Sequence, residues 1–275
     1  MSLNTLILNQ GAERRLRAGH VWIYSNEVDN KRTPIKSFQL GEQVLVEASN
    51  GKSLGVAYVN PNTLICGRLL CRDTKLRLDR SLLVHRINIA LSLREACFDK
   101  PCYRLVFGDS DGLPGLVIDR YFNIFVVQIS TAGMEAVVDE IISALNKIFT
   151  PEAIVLRCDG KMRSTEGLES YIEVAQGEVP ELCPFEENGV SLLAPVLTGQ
   201  KTGWFYDHRN NRAAMQKHVA GKRVLDLFSY VGGWGVQALA AGATEVMCVD
   251  ASETALDVAL ENARLNNAED RFVAV

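Results

Sequence analysis

The sequence predicts a multidomain chain of mixed α/β and α+β class in three parts: an N-terminal β-barrel (1–75), a central α+β domain (76–184) and the start of a Rossmann-like doubly wound sheet (185–275). Three observations predict this. Short β-rich runs broken by turn residues fill the first part. In the second, an apolar stripe at helical spacing lies between β-rich runs. In the third, strand and helix patterns alternate, and a glycine-rich turn follows an apolar strand.

In the first part Val44-Leu45-Val46, Leu54-Gly55-Val56-Ala57-Tyr58-Val59 and Leu64-Ile65-Cys66 read as strands, punctuated by Asn50-Gly51 and Asn60-Pro61-Asn62. A short helix over Ala12–Ala18 is expected to carry Arg14, Arg15 and Arg17. The second part opens with a helix from Asp79 to Cys97. Leu116-Val117-Ile118 and Ile124-Phe125-Val126-Val127 follow as strands. Met134, Val137, Val138, Ile141, Ile142, Leu145 and Ile148 recur as the core face of one helix, and Ile154-Val155-Leu156 closes the unit. The third part begins with a hairpin at Asn188-Gly189. Lys222–Phe228 reads as a buried strand, Val236–Ala241 as an apolar helix, Glu245–Asp250 as a strand, Glu253–Leu265 as a helix and Arg271–Val275 as a third strand. The sheet is expected to be truncated after that strand, with its helical cover unfinished.

The composition is that of a globular protein, 47% hydrophobic and 23% charged. No secretory leader or long apolar run is apparent, so a soluble, cytoplasmic protein is expected. The seven cysteines form no C-x-x-C pair and no Cys/His cluster with zinc spacing, so reduced thiols and no metal are expected. The net charge of −4 is unevenly spread: residues 1–80 hold 12 Lys and Arg against 7 Asp and Glu. A basic N-terminal segment on an acidic body suits contact with phosphates.

The chemistry centres on Asp226-Leu227-Phe228-Ser229-Tyr230-Val231-Gly232-Gly233-Trp234-Gly235. Glycines after a strand let backbone approach a ligand, and the following helix start presents free N–H groups. Asp250, ending the next strand, can accept hydrogen bonds from ribose hydroxyls. The segment Gly233–Ala238 also matches G-x-G-x-x-G/A, the nicotinamide-dinucleotide fingerprint. An acid at Asp226, however, repels pyrophosphate and suits a cationic ligand with a sulfonium and an α-amino group, so S-adenosylmethionine is the expected cofactor.

Four runs resemble the PUA-domain family of class I 23S ribosomal RNA cytosine-carbon-5 methyltransferases. They are Gly19–Val28, Gly108–Tyr121, Gly199–Arg212 and Asp226–Gly235. The resemblance implies a PUA-like RNA-binding domain, a central α+β domain and a Rossmann-like methyltransferase domain acting on large-subunit ribosomal RNA. It implies cofactor contacts from Lys201, Phe205, Asp207, Arg209, Asp226, Phe228, Ser229, Tyr230, Gly232, Gly233, Asp250, Ala251 and Ser252. It also implies thiolate attack on cytosine by cysteines that would lie beyond Val275, so no catalytic residue is assigned and the chain alone is expected to be inactive. His208, Asn210, Trp204 and Trp234 depart from the family's usual Gln, Glu, Phe and Phe.

Arg14, Arg15, Arg17, His20 and Trp22 are the candidate RNA contacts, the basic groups for phosphates and the aromatic ring for stacking on an exposed base. Asp109, Asp111 and Asp119 read as turn residues rather than metal ligands, and Cys248 as core. A homodimer is compatible with the sequence. Alternative readings are a non-catalytic RNA-binding protein with a degenerate methyltransferase fold, a guanine-specific rRNA methyltransferase, and an NAD-dependent oxidoreductase.

Overall fold

The computed structural model describes residues 3–275. Internal contacts group the chain into two units. The first runs up to Cys97 and includes Leu105–Ile118 and Val127–Gly177; the second takes Phe98–Arg104, Asp119–Val126 and Glu178–Val275.

The first unit starts with β1 (Asn4–Ile7), α1 (Glu13–Arg17), β2 (Trp22–Tyr24), β3 (Gln43–Glu47), β4 (Ser53–Val59) and β5 (Ile65–Cys71). The five strands form one sheet in the order β1-β3-β4-β5-β2. β1 runs parallel to β3, and the other pairs are antiparallel. Period-2 alternation sends Val44 and Val46 inward to meet Leu6, Leu8, Leu16, Ile23 and Val59 in one core. Leu16 is the buried residue of α1, which leaves its three arginines on the remaining faces.

Next come α2 (Arg80–Glu95), β6 (Cys102–Phe107), β7 (Leu116–Tyr121), β8 (Ile124–Ile129), α3 (Ala132–Glu135), α4 (Val138–Ile148), β9 (Ala153–Cys158), α5 (Met162–Glu166) and β10 (Tyr171–Gly177). A second sheet has the order β10-β9-β8-β7-β6. Asp79 caps α2 by accepting from the Leu82 N–H, which fixes where that helix starts. The single helix expected over Met134–Ile148 is instead two, because Val137 at φ −127°, ψ 28° is not helical. The break keeps both Met134 and Val137 buried. α3 lies hard against β4, where a Cβ on Gly133 would meet the Tyr58 ring at 2.1 Å.

The second unit contains β11 (Cys183–Glu187), β12 (Val190–Ala194), α6 (Arg209–Gln216), β13 (Arg223–Leu227), α7 (Gly233–Ala240), β14 (Glu245–Val249), α8 (Glu253–Leu265) and β15 (Phe272–Ala274). β11 and β12 pair as the expected hairpin. Asn188 (φ 54°) and Gly189 (φ 77°) are both left-handed, as the favoured two-residue turn requires. β13, β14 and β15 are parallel neighbours in that order, each joined to the next by a helix.

One expectation is corrected here. β13 is not buried on both faces: Leu225 is 59% and Leu227 55% exposed, while Asp226 between them is covered. Alternation turns Asp226 toward α7 and the two leucines to the opposite face. Among the described residues no helix is long and apolar enough to cross a membrane.

Gly133→Ala is expected to cost about 1–3 kcal/mol by overpacking against Tyr58. Gly160→Ala, with nothing within 4 Å of the added carbon, should leave urea midpoints at or slightly above the parent value.

Candidate functional site

β13 leads into a five-residue turn before α7. Phe228 (φ 58°), Tyr230 (φ 49°) and Gly232 (φ 74°) are all left-handed there, two of them without glycine's freedom. Such strain persists only where surroundings over-determine it, and here Asp250 does so. At the end of β14 its carboxylate accepts from the Tyr230 N–H at 2.8 Å through one oxygen and from the Ser252 N–H at 3.0 Å through the other. Ser229 N–H also donates to the Val249 carbonyl at 3.1 Å.

Asp226 sits beneath the turn. Its Oδ2 accepts the Gly235 N–H at 2.9 Å, one of the free donors in the first turn of α7. Burial pushes its carboxyl above the ordinary aspartate range, against the opposing hydrogen bond from Gly235. Gly235 must be glycine for this approach: an added Cβ would meet Cys248 Sγ at 2.6 Å and Val246 Cγ1 at 2.9 Å. The chain's own carboxylate thus takes up one of the free N–H donors at the start of α7.

The segment from Gly199 to Arg212 is tied to this turn and to β7. The Tyr230 hydroxyl accepts the Gln200 N–H at 2.9 Å and donates to the Gly203 carbonyl at 3.3 Å. The Thr202 hydroxyl donates to Asp119 at 2.6 Å; Asp119 is held in turn by two bonds from Arg104, at 2.8 and 2.9 Å. Tyr206 donates to the Arg120 carbonyl at 3.0 Å. Below lies a buried polar cluster. Glu187 receives bonds from Trp204 Nε1 (3.0 Å), Arg212 Nε (2.6 Å) and Gln237 Nε2 (2.8 Å). The Arg212 guanidinium also covers the Trp204 ring at 4.5 Å.

These parts enclose a cleft of about 420 Å³. Of the thirteen cofactor candidates, Phe205, Phe228, Ser229, Tyr230, Gly233, Asp250 and Ala251 line it. Asp226 lies beneath it, and Gly232 starts α7, packed toward Ala259. Ser252 caps α8 and lines an adjoining cleft of about 500 Å³ that shares Gln200 and Tyr230 with the first. Lys201 places its ammonium 4.8 Å from the Phe205 ring centre, and Asp207 lies 3.5 Å from His208. Arg209 is drawn away: it donates to the Cys102 carbonyl at 2.7 Å and covers the Phe98 ring at 4.3 Å. Gln200, Trp204, His208 and Trp234 line the cleft without having been among the candidates, and Arg212, which the charged segment after Gly203 offers as a partner for a carboxylate or phosphate, lines it too. Gln237 carried a readable signal, a lone polar residue inside the apolar run Val236–Leu239; Glu187, in a hairpin strand, carried none.

In the first unit Arg14, Arg17 and His20 are exposed. Arg15 is bound to Glu27 at 2.9 Å and covers the Tyr24 ring at 4.9 Å. Trp22 is 39% exposed and donates to Asp109 at 3.2 Å. Asp111 pairs with Arg94 at 2.6 Å, so Asp109, Asp111 and Asp119 go to separate partners. Burial pushes the thiols of Cys66 and Cys248 up to about 12, which keeps them protonated and unreactive at neutral pH.

Two outcomes are expected. Glu187→Ala leaves Arg212 buried without its carboxylate and should cost about 3 kcal/mol in urea denaturation. Asp226 has a raised folded-state pKa, so its charge penalises the native state at neutral pH, and the penalty fades as pH falls toward 3.8. The melting-temperature difference between Asp226→Asn and the parent should therefore shift toward the parent on acidification. A difference independent of pH would contradict the burial argument.

Residues 6–72 match the PUA-like domain family, and residues 159–274 match the S-adenosylmethionine-dependent methyltransferase family. Among curated relatives, the Ribosomal RNA large subunit methyltransferase I of Erwinia tasmaniensis is 39% identical over 271 residues, covering 96% of this chain and 67% of the relative. The protein of the same name from Aliivibrio fischeri is 38% identical over 266 residues, covering 95% and 66%. The chain thus spans about two thirds of the length of these relatives. A solved Streptococcus mutans structure, of a protein classed with the SAM-dependent methyltransferases, shares the fold at a TM-score of 0.81 and 23% identity, over 99% of this chain and 70% of that one. With its PUA-like domain and its S-adenosylmethionine-dependent methyltransferase domain, the chain belongs to the ribosomal RNA large subunit methyltransferase I family.

Proposed function

We propose that the chain binds S-adenosylmethionine in the cleft lined by Phe205, Tyr230, Trp234 and Asp250, and that it serves the methylation of a large-subunit ribosomal RNA base, carbon 5 of cytosine. The observation that carries the donor reading is the Asp226 carboxylate on the Gly235 N–H. With that position filled by an anion, a pyrophosphate is repelled and a cationic ligand is favoured. The cleft fits such a ligand. Asp250 faces it with acceptor capacity left beyond its two backbone bonds. Aromatic faces from Phe205, Tyr230 and Trp234 suit a sulfonium.

When bound, the donor supplies an electrophilic methyl group. The chain's own residues orient it: Asp250 for the ribose hydroxyls and the strained Phe228–Gly232 turn for the amino-acid end. Cytosine as the target base is supported by the Gly108–Tyr121 and Gly199–Arg212 motifs. In this reading 1–75 contacts RNA through Arg14, Arg17, His20 and Trp22, 76–184 is a connecting domain and 185–275 holds the donor. Arg15, committed to Glu27 and Tyr24, has a structural part.

Isothermal titration with S-adenosylmethionine and with NADH tests the donor reading. The expected result is binding of the first and not the second, with Asp250→Ala weakening it about tenfold or more through loss of charge-assisted hydrogen bonds. Tight NADH binding with no S-adenosylmethionine binding would overturn it.

A further inference from the structure

Trp22 lies on β2, at the edge of the first sheet. Ile23 beside it is fully buried, so alternation turns Trp22 to the outer face. Its partner in register on β5 is Arg68, whose guanidinium is engaged by Glu166 at 3.0 Å. Trp22 is 39% exposed, far from a packed core residue. Its one polar group is nevertheless already used, since the indole N–H donates to Asp109 Oδ1 at 3.2 Å.

Asp109 belongs to the short turn Gly108–Asp111. Asp111 fixes that turn through Arg94, at 3.0 and 2.6 Å, and through the Phe107 N–H at 2.6 Å. Phe107 is itself 53% exposed. One ion-paired turn therefore orients the Trp22 ring.

An indole whose N–H is committed has only its face to give. It cannot read a hydrogen-bonding edge, but it can stack on any planar partner. In a continuous duplex both faces of each base are covered by its neighbours, and only an unpaired, splayed base is available to a side chain. Arg14 and Arg17, exposed on the helix leading into β2, add the positive charge that a phosphate backbone requires.

We infer that Trp22, locked in place by Asp109, is a stacking platform for an unpaired nucleotide, so that this surface selects looped or single-stranded RNA over continuous duplex. The inference rests on the reading of the chain as an RNA-modifying protein. It gives the Gly108–Asp111 turn a role in substrate selection.

The test uses the whole chain with a fluorescently labelled oligouridylate and a blunt RNA duplex of equal length, titrated by anisotropy. The chain is also labelled with 5-fluorotryptophan, and the Trp22 resonance is assigned by its disappearance in Trp22→Phe. Oligouridylate should shift that resonance and the duplex should not. Trp22→Ala should weaken oligouridylate binding about tenfold and leave duplex binding unchanged. Trp22→Phe, which keeps a ring, should stay close to the parent, and Asp109→Ala should fall between. If Trp22→Ala does not fold, the fluorine shift in the parent and the Asp109→Ala affinity decide. Oligouridylate binding that is equal in parent and Trp22→Ala, or a Trp22 resonance unmoved at saturation, would overturn the inference alone. No RNA binding by the parent would overturn the RNA reading with it, while donor titration reports separately on the methyl-donor site.

Discussion

The candidate site depends on one buried carboxylate. Asp226 must leave water to reach the first turn of α7, and burial raises its pKa accordingly. What offsets the cost is a backbone N–H that would otherwise be orphaned at the helix start. That bond in turn demands close contact between α7 and the sheet, which only a glycine at 235 permits. From this arrangement follow the path of the turn, the left-handed residues within it and the position of Asp250 as its second anchor.

Around that anchor, stability and ligand contact are divided between different side chains. Glu187 gathers Trp204, Arg212 and Gln237 into one buried cluster, while Arg212 also donates to the Phe205 carbonyl and Gln237 also accepts from Asn188. Phe205, His208 and Trp234 meet edge-to-face above it, ring centres about 6 Å apart. The cleft itself is lined by ring faces, the Asp250 carboxylate and the residues of the turn. In the first unit, too, charged groups are engaged with each other, Arg68 with Glu166 and Arg94 with Asp111.

Much of this was legible in the sequence because local signals and tertiary demands agree. Glu253–Leu265 came out to the residue, helped by the Ser252 cap, and Asn188-Gly189 named its turn. β1 and β2 were illegible because four and three residues are too few to show a period. β10 was missed because it is an edge strand whose Ile172 and Val174 face outward, with a bulge that shifts its phase. Seven of the thirteen proposed cofactor residues line the cleft, and those lie in or beside the turn, where residue type reports on position. Arg209 strayed because a long, charged side chain goes where its partners are. Here those partners are a carbonyl at Cys102 and a ring at Phe98, more than a hundred residues away in sequence.

The Tyr230 hydroxyl has a consequence for how this chain can vary over evolutionary time. It serves two backbone groups of the neighbouring loop, and a Cβ at Gly199 would come within 2.2 Å of it. Replacing Tyr230 with phenylalanine strands both partners, and replacing Gly199 with anything larger evicts the hydroxyl that serves them. Neither position can change alone without loss of these hydrogen bonds. The two clefts that meet at Tyr230 have to diverge together or not at all.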